Sequence, residues 1–412
     1  MEGKRAEIPT SAYLHIPFCR RRCYYCDFPV FVVGDRQQGE NSRPIVEYVA
    51  LLQEEINTTP SLGQPLTTVF FGGGTPSLLS VEQLDRILTV LDRRFGIAKD
   101  AEISIEMDPG TFERQQLAGY RAAGINRVSL GVQAFQDELL AASGRSHNSA
   151  DILTALESIR QVGITNFSLD LISGLPHQTL AQWQHSLEAA VAIAPVHISS
   201  YDLIVEPKTP FARYYQPGVA PLPSDDLTAE MYRLASQILS DAGYQHYEVS
   251  NYALAGYECL HNQVYWENRP YYGFGMGAAS YVGGKRFTRP RKTREYYAWV
   301  ERLKANGGAI DCAETPASEV MLESLMLGLR LARGWNLATL SAQLDRETRD
   351  RIWTSLQPYA RAGWLQVVSE TGAPITLPSR TALPPSGWLR LTDPEGFLFS
   401  NTILASVFSA LE

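Results

Sequence analysis

The 412-residue chain is short of several residue types that announce function. It has only five cysteines, six methionines and seven histidines, too few thiols for a disulfide-built scaffold. Basic residues number 36 against 44 acidic ones, a net charge of −8. That balance argues against a general nucleic-acid binder, which needs basic surface to neutralise phosphates. No apolar run approaches the ~20 residues of a membrane-spanning helix. The best candidate, "LEAAVAIAPVHI", is short and interrupted by Pro195. The opening "MEGKRAEIPT" lacks the apolar stretch of a secretory signal. These absences lead us to expect a soluble cytoplasmic protein held under reducing conditions. Hydrophobic residues make up 45% of the chain, enough for large cores. At roughly 100–200 residues per domain, the length suggests two or three domains.

Three of the five cysteines fall within eight residues, in "CRRRCYYC" (19–26). The spacing is C-x3-C-x2-C. An odd count does not suit disulfides, and closed structural zinc sites take four ligands. Zinc would need His15 as the fourth. Three soft thiolates suit an iron–sulfur cluster better, leaving one coordination position open.

The first half of the chain alternates short apolar runs with helical patterns. Strands are expected at 12–18, 67–71, 102–107, 127–132, 166–172 and 197–204. Helices are expected at 44–56, 81–96, 112–124, 151–163, 180–193 and 225–243. Six consecutive β-α units imply a parallel sheet with right-handed crossovers. Periodicity alone leaves open whether that sheet curls into a partial barrel or stays flat and doubly wound. Cys19–Cys26, "GGGTPS" (72–77), Glu106, Gln133 and Asp170 lie near five successive strand ends. Ligands of such sheets bind beyond the carboxyl ends of the strands, so these groups could converge on one ligand. Beyond residue 243 the pattern changes. An aromatic and glycine-rich stretch leads into a helix at 318–334 and two short helices over 336–363. Strands "WLQVV" and "WLRLT" then flank a proline-rich insert (371–385), and a last helix closes the chain. That tail is similar to a winged-helix module.

Together, "YLHIPFCRRRCYYCDF", "FGGGTPS", "EISIEMDPGTF", "RVSLGVQAF" and "DLISGLPHQT" resemble the radical S-adenosylmethionine (SAM) superfamily. Within it they resemble the oxygen-independent coproporphyrinogen III oxidase family, and most of all its heme chaperone branch. The resemblance runs from about residue 11 to the C-terminus. It implies a partial (β/α)6 barrel over residues 8–243. It further implies a C-terminal region over 244–412, divided into an extension (244–310) and a winged-helix-like module (311–412). The cofactors implied are a [4Fe-4S] cluster on Cys19, Cys23 and Cys26, and SAM on the open iron. An electron from the cluster cleaves SAM in that superfamily. For SAM contacts the resemblance points to Tyr13, Tyr25, Gly73, Gly74, Thr75, Glu106, Gln133, Arg145, Asp170 and Ile204. Arg145 would pair with the methionyl carboxylate, Gln133 and Asp170 with the ribose, and Ile204 with the adenine. Each of these residues also has an ordinary structural reading, and "GGGTPS" lacks the G-K-[ST] of a phosphate loop.

Phe28 stands where the oxidase branch carries a further cysteine, and only 18 residues precede Cys19. Both features favour the chaperone branch, as does "HNQVYW" (261–266), similar to a stretch linked to heme binding. His261 is therefore a candidate heme ligand, with Tyr265 and Trp266 beside the porphyrin. The opposing reading is a histidine hydrogen-bonded within an aromatic core. Cys259 is read as a small buried residue, less readily as a heme ligand, and Cys312 as structural. Ala279 occupies a position where chaperones of this branch often have histidine. The basic run "RFTRPRKTR" (286–294) reads as a solvated loop. The expectation is thus a SAM-binding [4Fe-4S] protein that carries heme to acceptor proteins and could form a homodimer. The alternatives are a coproporphyrinogen III oxidase, or a radical SAM enzyme acting on RNA or another macromolecule.

Overall fold

The computed structural model describes residues 8–375 and 383–411. Its centre is a nine-stranded sheet. Six parallel strands form the middle: β1 (Ser11–Ile16), β2 (Leu66–Gly73), β3 (Ile97–Met107), β4 (Arg127–Gln133), β5 (Phe167–Ser173) and β6 (His197–Asp202). They stand side by side in sequence order. A doubly wound sheet would reverse direction at a switch point, so this order is that of a barrel wall. The wall does not close. Tyr272–Phe274 adds a parallel strand beside β1, while Asn251–Ala253 and Gln245–Glu248 add antiparallel strands beyond β6.

Helices α1 (Arg43–Thr58), α2 (Val81–Phe95), α3 (Arg114–Ala122), α4 (Ser149–Val162), α5 (Leu180–Ile193) and α6 (Asp225–Asp241) complete the six units. Local sequence sets their ends. Ser80/Gln83, Asn148/Asp151 and Thr179/Gln182 form capping boxes that satisfy the first free N–H groups of α2, α4 and α5. Gly163, in the left-handed conformation, closes α4. The buried stripes of these helices pack on the apolar outer face of the sheet, with Ile45, Leu84, Leu117, Ile159 and Trp183 in one continuous core.

The first core continues past residue 243 and takes in Tyr244, Tyr252, Tyr272, Phe274, Met276, Tyr296 and Val300. Residues 244–300 therefore complete the first unit. The basic run is not a free charged loop. Arg289 is buried and pairs with Glu55 at 2.7 Å, Arg286 with Glu323 at 2.9 Å, and Arg291 with Asp27 at 3.1 Å.

A second core holds Leu325, Trp335, Leu356, Leu389 and Val407. It is built from helices Ala317–Gly328, Leu337–Gln343, Arg346–Arg361 and Ser400–Leu411 around a four-stranded sheet. "WLQVV" and "WLRLT" form adjacent antiparallel strands in that sheet. Residues 376–382 of the proline-rich insert lie outside the described residues.

Candidate functional site

The cysteine loop leaves the carboxyl end of β1 and is closed at its base. Phe18–Cys19 pairs in parallel with Phe31–Val32, and the Val33 N–H donates to the Cys19 carbonyl at 2.9 Å. Tyr24 ties the loop's far side to the barrel by donating its N–H to the Ser143 carbonyl at 3.0 Å. Cys19, Cys23 and Cys26 are free thiols, partly exposed. Burial, then the neighbouring Asp108 carboxylate, pushes Cys19 up to about 12; burial likewise raises Cys26. Without a cation to hold them as thiolates, these thiols stay protonated. His15 offers no fourth ligand for zinc, because Tyr13 OH lies 3.1 Å from its Nδ1 and the Pro29 carbonyl 3.1 Å from its Nε2. Three soft sulfur donors in a loop that opens on a cavity fit a cluster held by three thiolates.

That cavity has a volume of about 480 Å³ and runs from the cysteines into the barrel. All the candidate residues except Ile204 line it: Tyr13, Tyr25, Gly73, Gly74, Thr75, Glu106, Gln133, Arg145, Asp170, His261 and the three cysteines. The glycines are there for space. At Gly73 a Cβ would meet the His15 ring at 2.5 Å; at Gly74 it would meet the Phe18 carbonyl at 2.7 Å. Glu106 accepts the Gly73 N–H at 2.9 Å. Burial pushes its carboxyl up to about 8, with further upward pressure from Asp170 and Asp108. Asp170, held by Ser129 Oγ at 2.8 Å, is also raised by burial. With Glu106 and Asp170 both raised by burial, the site gains from a positive charge placed beside them, and SAM carries a sulfonium and an ammonium. The donor set fits it.

Gln133 reaches the site through a backbone irregularity. The β4–β5 register shifts between Gly131 and Gln133, and Gln133 adopts φ 68°. Such bulges re-aim side chains beside functional sites. Arg145 lines the cavity beside the cysteines. It pairs with Asp108, donates to the Gly131 carbonyl at 3.0 Å, and lies 3.3 Å from the Cys23 sulfur. Sequence reasoning missed Asp108 and Gly131, although both lie inside the quoted motifs. A Cβ at Gly131 would meet Asp108 at 2.8 Å and Arg145 at 3.3 Å.

β6 ends at Asp202, and Ile204 stands 68% exposed, outside the cavity wall. Ala279 is likewise not among the lining residues. His261 lies at the opposite, closed end of the cavity, 1% exposed. Thr68 Oγ1 sits 2.8 Å from its Nδ1 and Tyr265 OH 2.9 Å from its Nε2, while Phe70 stacks on its ring. Burial lowers it to about 3. Both ring nitrogens are thus hydrogen-bonded, one as donor and one as acceptor, which leaves no free lone pair in this arrangement. Its segment forms the helix Leu260–Trp266, which the sequence did not suggest. Glu102 of β3 starts that helix by accepting N–H groups of Leu260 and His261 at 3.3 and 3.2 Å. Cys259, just before the helix, is buried, and Cys312 sits 3.5 Å from the Arg286 carbonyl.

A three-cysteine loop over a curled six-stranded parallel wall, with a cavity lined by Glu106 and Asp170 beneath, defines a radical SAM protein, and residues 13–190 match the Radical SAM superfamily. That superfamily implies SAM and a [4Fe-4S] cluster. The chain is 49% identical over 405 residues to the heme chaperone HemW of Synechocystis sp., covering 98% of each chain. It is 41% identical to that of Bacillus subtilis, covering 86% of this chain and 92% of the relative. It belongs to the heme chaperone HemW family. In fold it is similar to the coproporphyrinogen III oxidase HemN of Escherichia coli, with a TM-score of 0.79 at 24% identity, covering 98% of this chain and 91% of that one. Among the described residues, no helix is long and apolar enough to cross a membrane.

Proposed function

We propose that this chain is a cytoplasmic heme chaperone that holds a SAM-ligated [4Fe-4S] cluster in its barrel and hands heme to acceptor proteins. The observation that carries this reading is the 49% identity to a heme chaperone along almost the whole of both chains. Phe28 in the position of the oxidase cysteine supports it. Cys19, Cys23 and Cys26 hold the cluster, which when bound supplies an electron and an iron with a free position for SAM. Glu106 meets the ligand's positive end, Gln133 and Asp170 its ribose, and Tyr13 and Tyr25 flank it. Arg145, already neutralised by Asp108, orients the cluster loop through Cys23 and reaches the methionyl carboxylate.

The test is anaerobic reconstitution, with parallel assays using hemin and using coproporphyrinogen III plus SAM. The protein should retain a Soret band through gel filtration and convert no coproporphyrinogen. Decarboxylated product above that of a Cys19→Ala control would replace this reading with the oxidase.

A further inference from the structure

A carried heme needs an axial ligand that it can reach, and histidine is a strong candidate among side chains. Five of the seven histidines are at most 8% exposed: His15, His147, His197, His246 and His261. His15 and His261 have both ring nitrogens engaged. His147 Nε2 faces the Val132 carbonyl at 3.2 Å, and His197 Nε2 the Tyr247 hydroxyl at 2.9 Å. His246 stacks on Tyr252 with centroids 3.9 Å apart and lies 2.9 Å from Asp393. Only His177 and His185 are exposed. His185 projects from α5 on the side away from the buried Trp183 and Leu187. His177 sits in the loop after β5, at the end of the barrel that bears the cysteines, with its backbone at φ 66°.

The segment 203–222 lies against that loop. The Leu203 N–H donates to the Ser173 carbonyl at 2.9 Å, and the His177 N–H to the Pro221 carbonyl at 2.7 Å. In its middle, the Phe211 N–H donates to the Tyr24 carbonyl at 3.1 Å. The segment thus joins the cysteine loop to His177. It also exposes apolar surface out of proportion to its length, with Tyr214 76%, Ile204 68% and Val219 50% exposed. Lys208 and Arg213 in the same segment are exposed. Neither makes an ion pair among the described residues.

We infer that His177 is the axial ligand of the carried heme, which docks on segment 203–222. Ile204, Tyr214 and Val219 supply apolar ground for the macrocycle. Lys208 and Arg213 match its two propionates. A neutral imidazole binds iron through its free nitrogen, and an external site leaves the heme open to an acceptor. The inference rests on the heme-chaperone reading, and the test separates the two.

Hemin is titrated into full-length reconstituted protein and read by the Soret band and by electron paramagnetic resonance of the ferric heme. The variants are His177→Asn, His185→Asn and Lys208→Glu/Arg213→Glu. Asparagine tolerates the left-handed backbone, and iron and sulfide content reports that each variant is folded. His177→Asn should move the Soret band and weaken binding by at least about tenfold. The double charge reversal should weaken binding while leaving the band in place, and His185→Asn should match the parent protein. A His177→Asn protein with the parent spectrum and affinity overturns the inference, as does loss of the band in His185→Asn alone. If the parent protein takes up no hemin saturably, the chaperone reading itself fails, and the docking site with it.

Discussion

Glu106 shows what single residues contribute here. Its carboxyl, ordinarily at 4.5, sits at about 8 because burial disfavours its charge. Between those values the folded protein keeps a proton that the unfolded chain has released. This group's contribution to stability therefore falls as pH rises through that window. A cationic ligand reverses the preference and should drive the proton off. SAM binding at pH 7 should thus release protons, measured calorimetrically in two buffers of different ionisation enthalpy. Glu106→Gln should cut that release; an unchanged release would remove Glu106 from the cation's contacts. The site was legible at this scale wherever a residue belonged to a short motif. The three cysteines, Gly73, Gly74, Glu106 and Asp170 all line the cavity. Asp108 was not legible, because its partner Arg145 lies 37 residues away. The end of β6 was not legible either, because "DLI" continues an apolar run while the chain leaves the sheet at Asp202.

Among the elements, α1 shows how the barrel is fastened to the chain beyond residue 243. Glu55 on its inner face is fully buried. It accepts from Arg289 at 2.7 Å, Tyr296 OH at 2.6 Å and the Gly275 N–H at 2.9 Å. One carboxylate thereby joins α1, the strand region 272–280 and the helix Thr293–Ala305. Glu55→Ala would leave a buried guanidinium without its anion, a loss of roughly 3–5 kcal/mol. Anaerobic urea unfolding measures it, and a change below about 0.5 kcal/mol, the scale of an ordinary surface substitution, would show that the network carries no weight. The sequence revealed the six β-α units because each helix carries an apolar stripe and four of the six, α2, α4, α5 and α6, carry a side-chain N-cap. It hid the helix Leu260–Trp266, whose first N–H groups are satisfied by Glu102, more than 150 residues before it in the chain.

For the whole molecule, the composition changes at residue 243 while one hydrophobic core runs across that point. Two strands beyond β6, one beside β1 and the helix at the cavity's closed end all come from residues 244–300. A fragment ending at residue 310 should therefore still take up the cluster and bind SAM, whereas one ending at 243 should do neither. Iron content and SAM titration of the two fragments decide it; equal uptake by the shorter one would put the boundary back at 243. The added strands have a further effect at the margins of the open sheet. On one side the N–H groups of Gly273, Gly275 and Met276 are taken by Ser280, Glu55 and Tyr48. On the other, Tyr247 and Val249 bond to Ala332 and Arg330. Among the described residues, neither margin offers a free backbone ladder to a foreign strand. A visiting protein cannot be gripped there by β-augmentation, so recognition at the barrel falls to side chains and loops, and the same blocked margins spare this sheet from strand-to-strand aggregation.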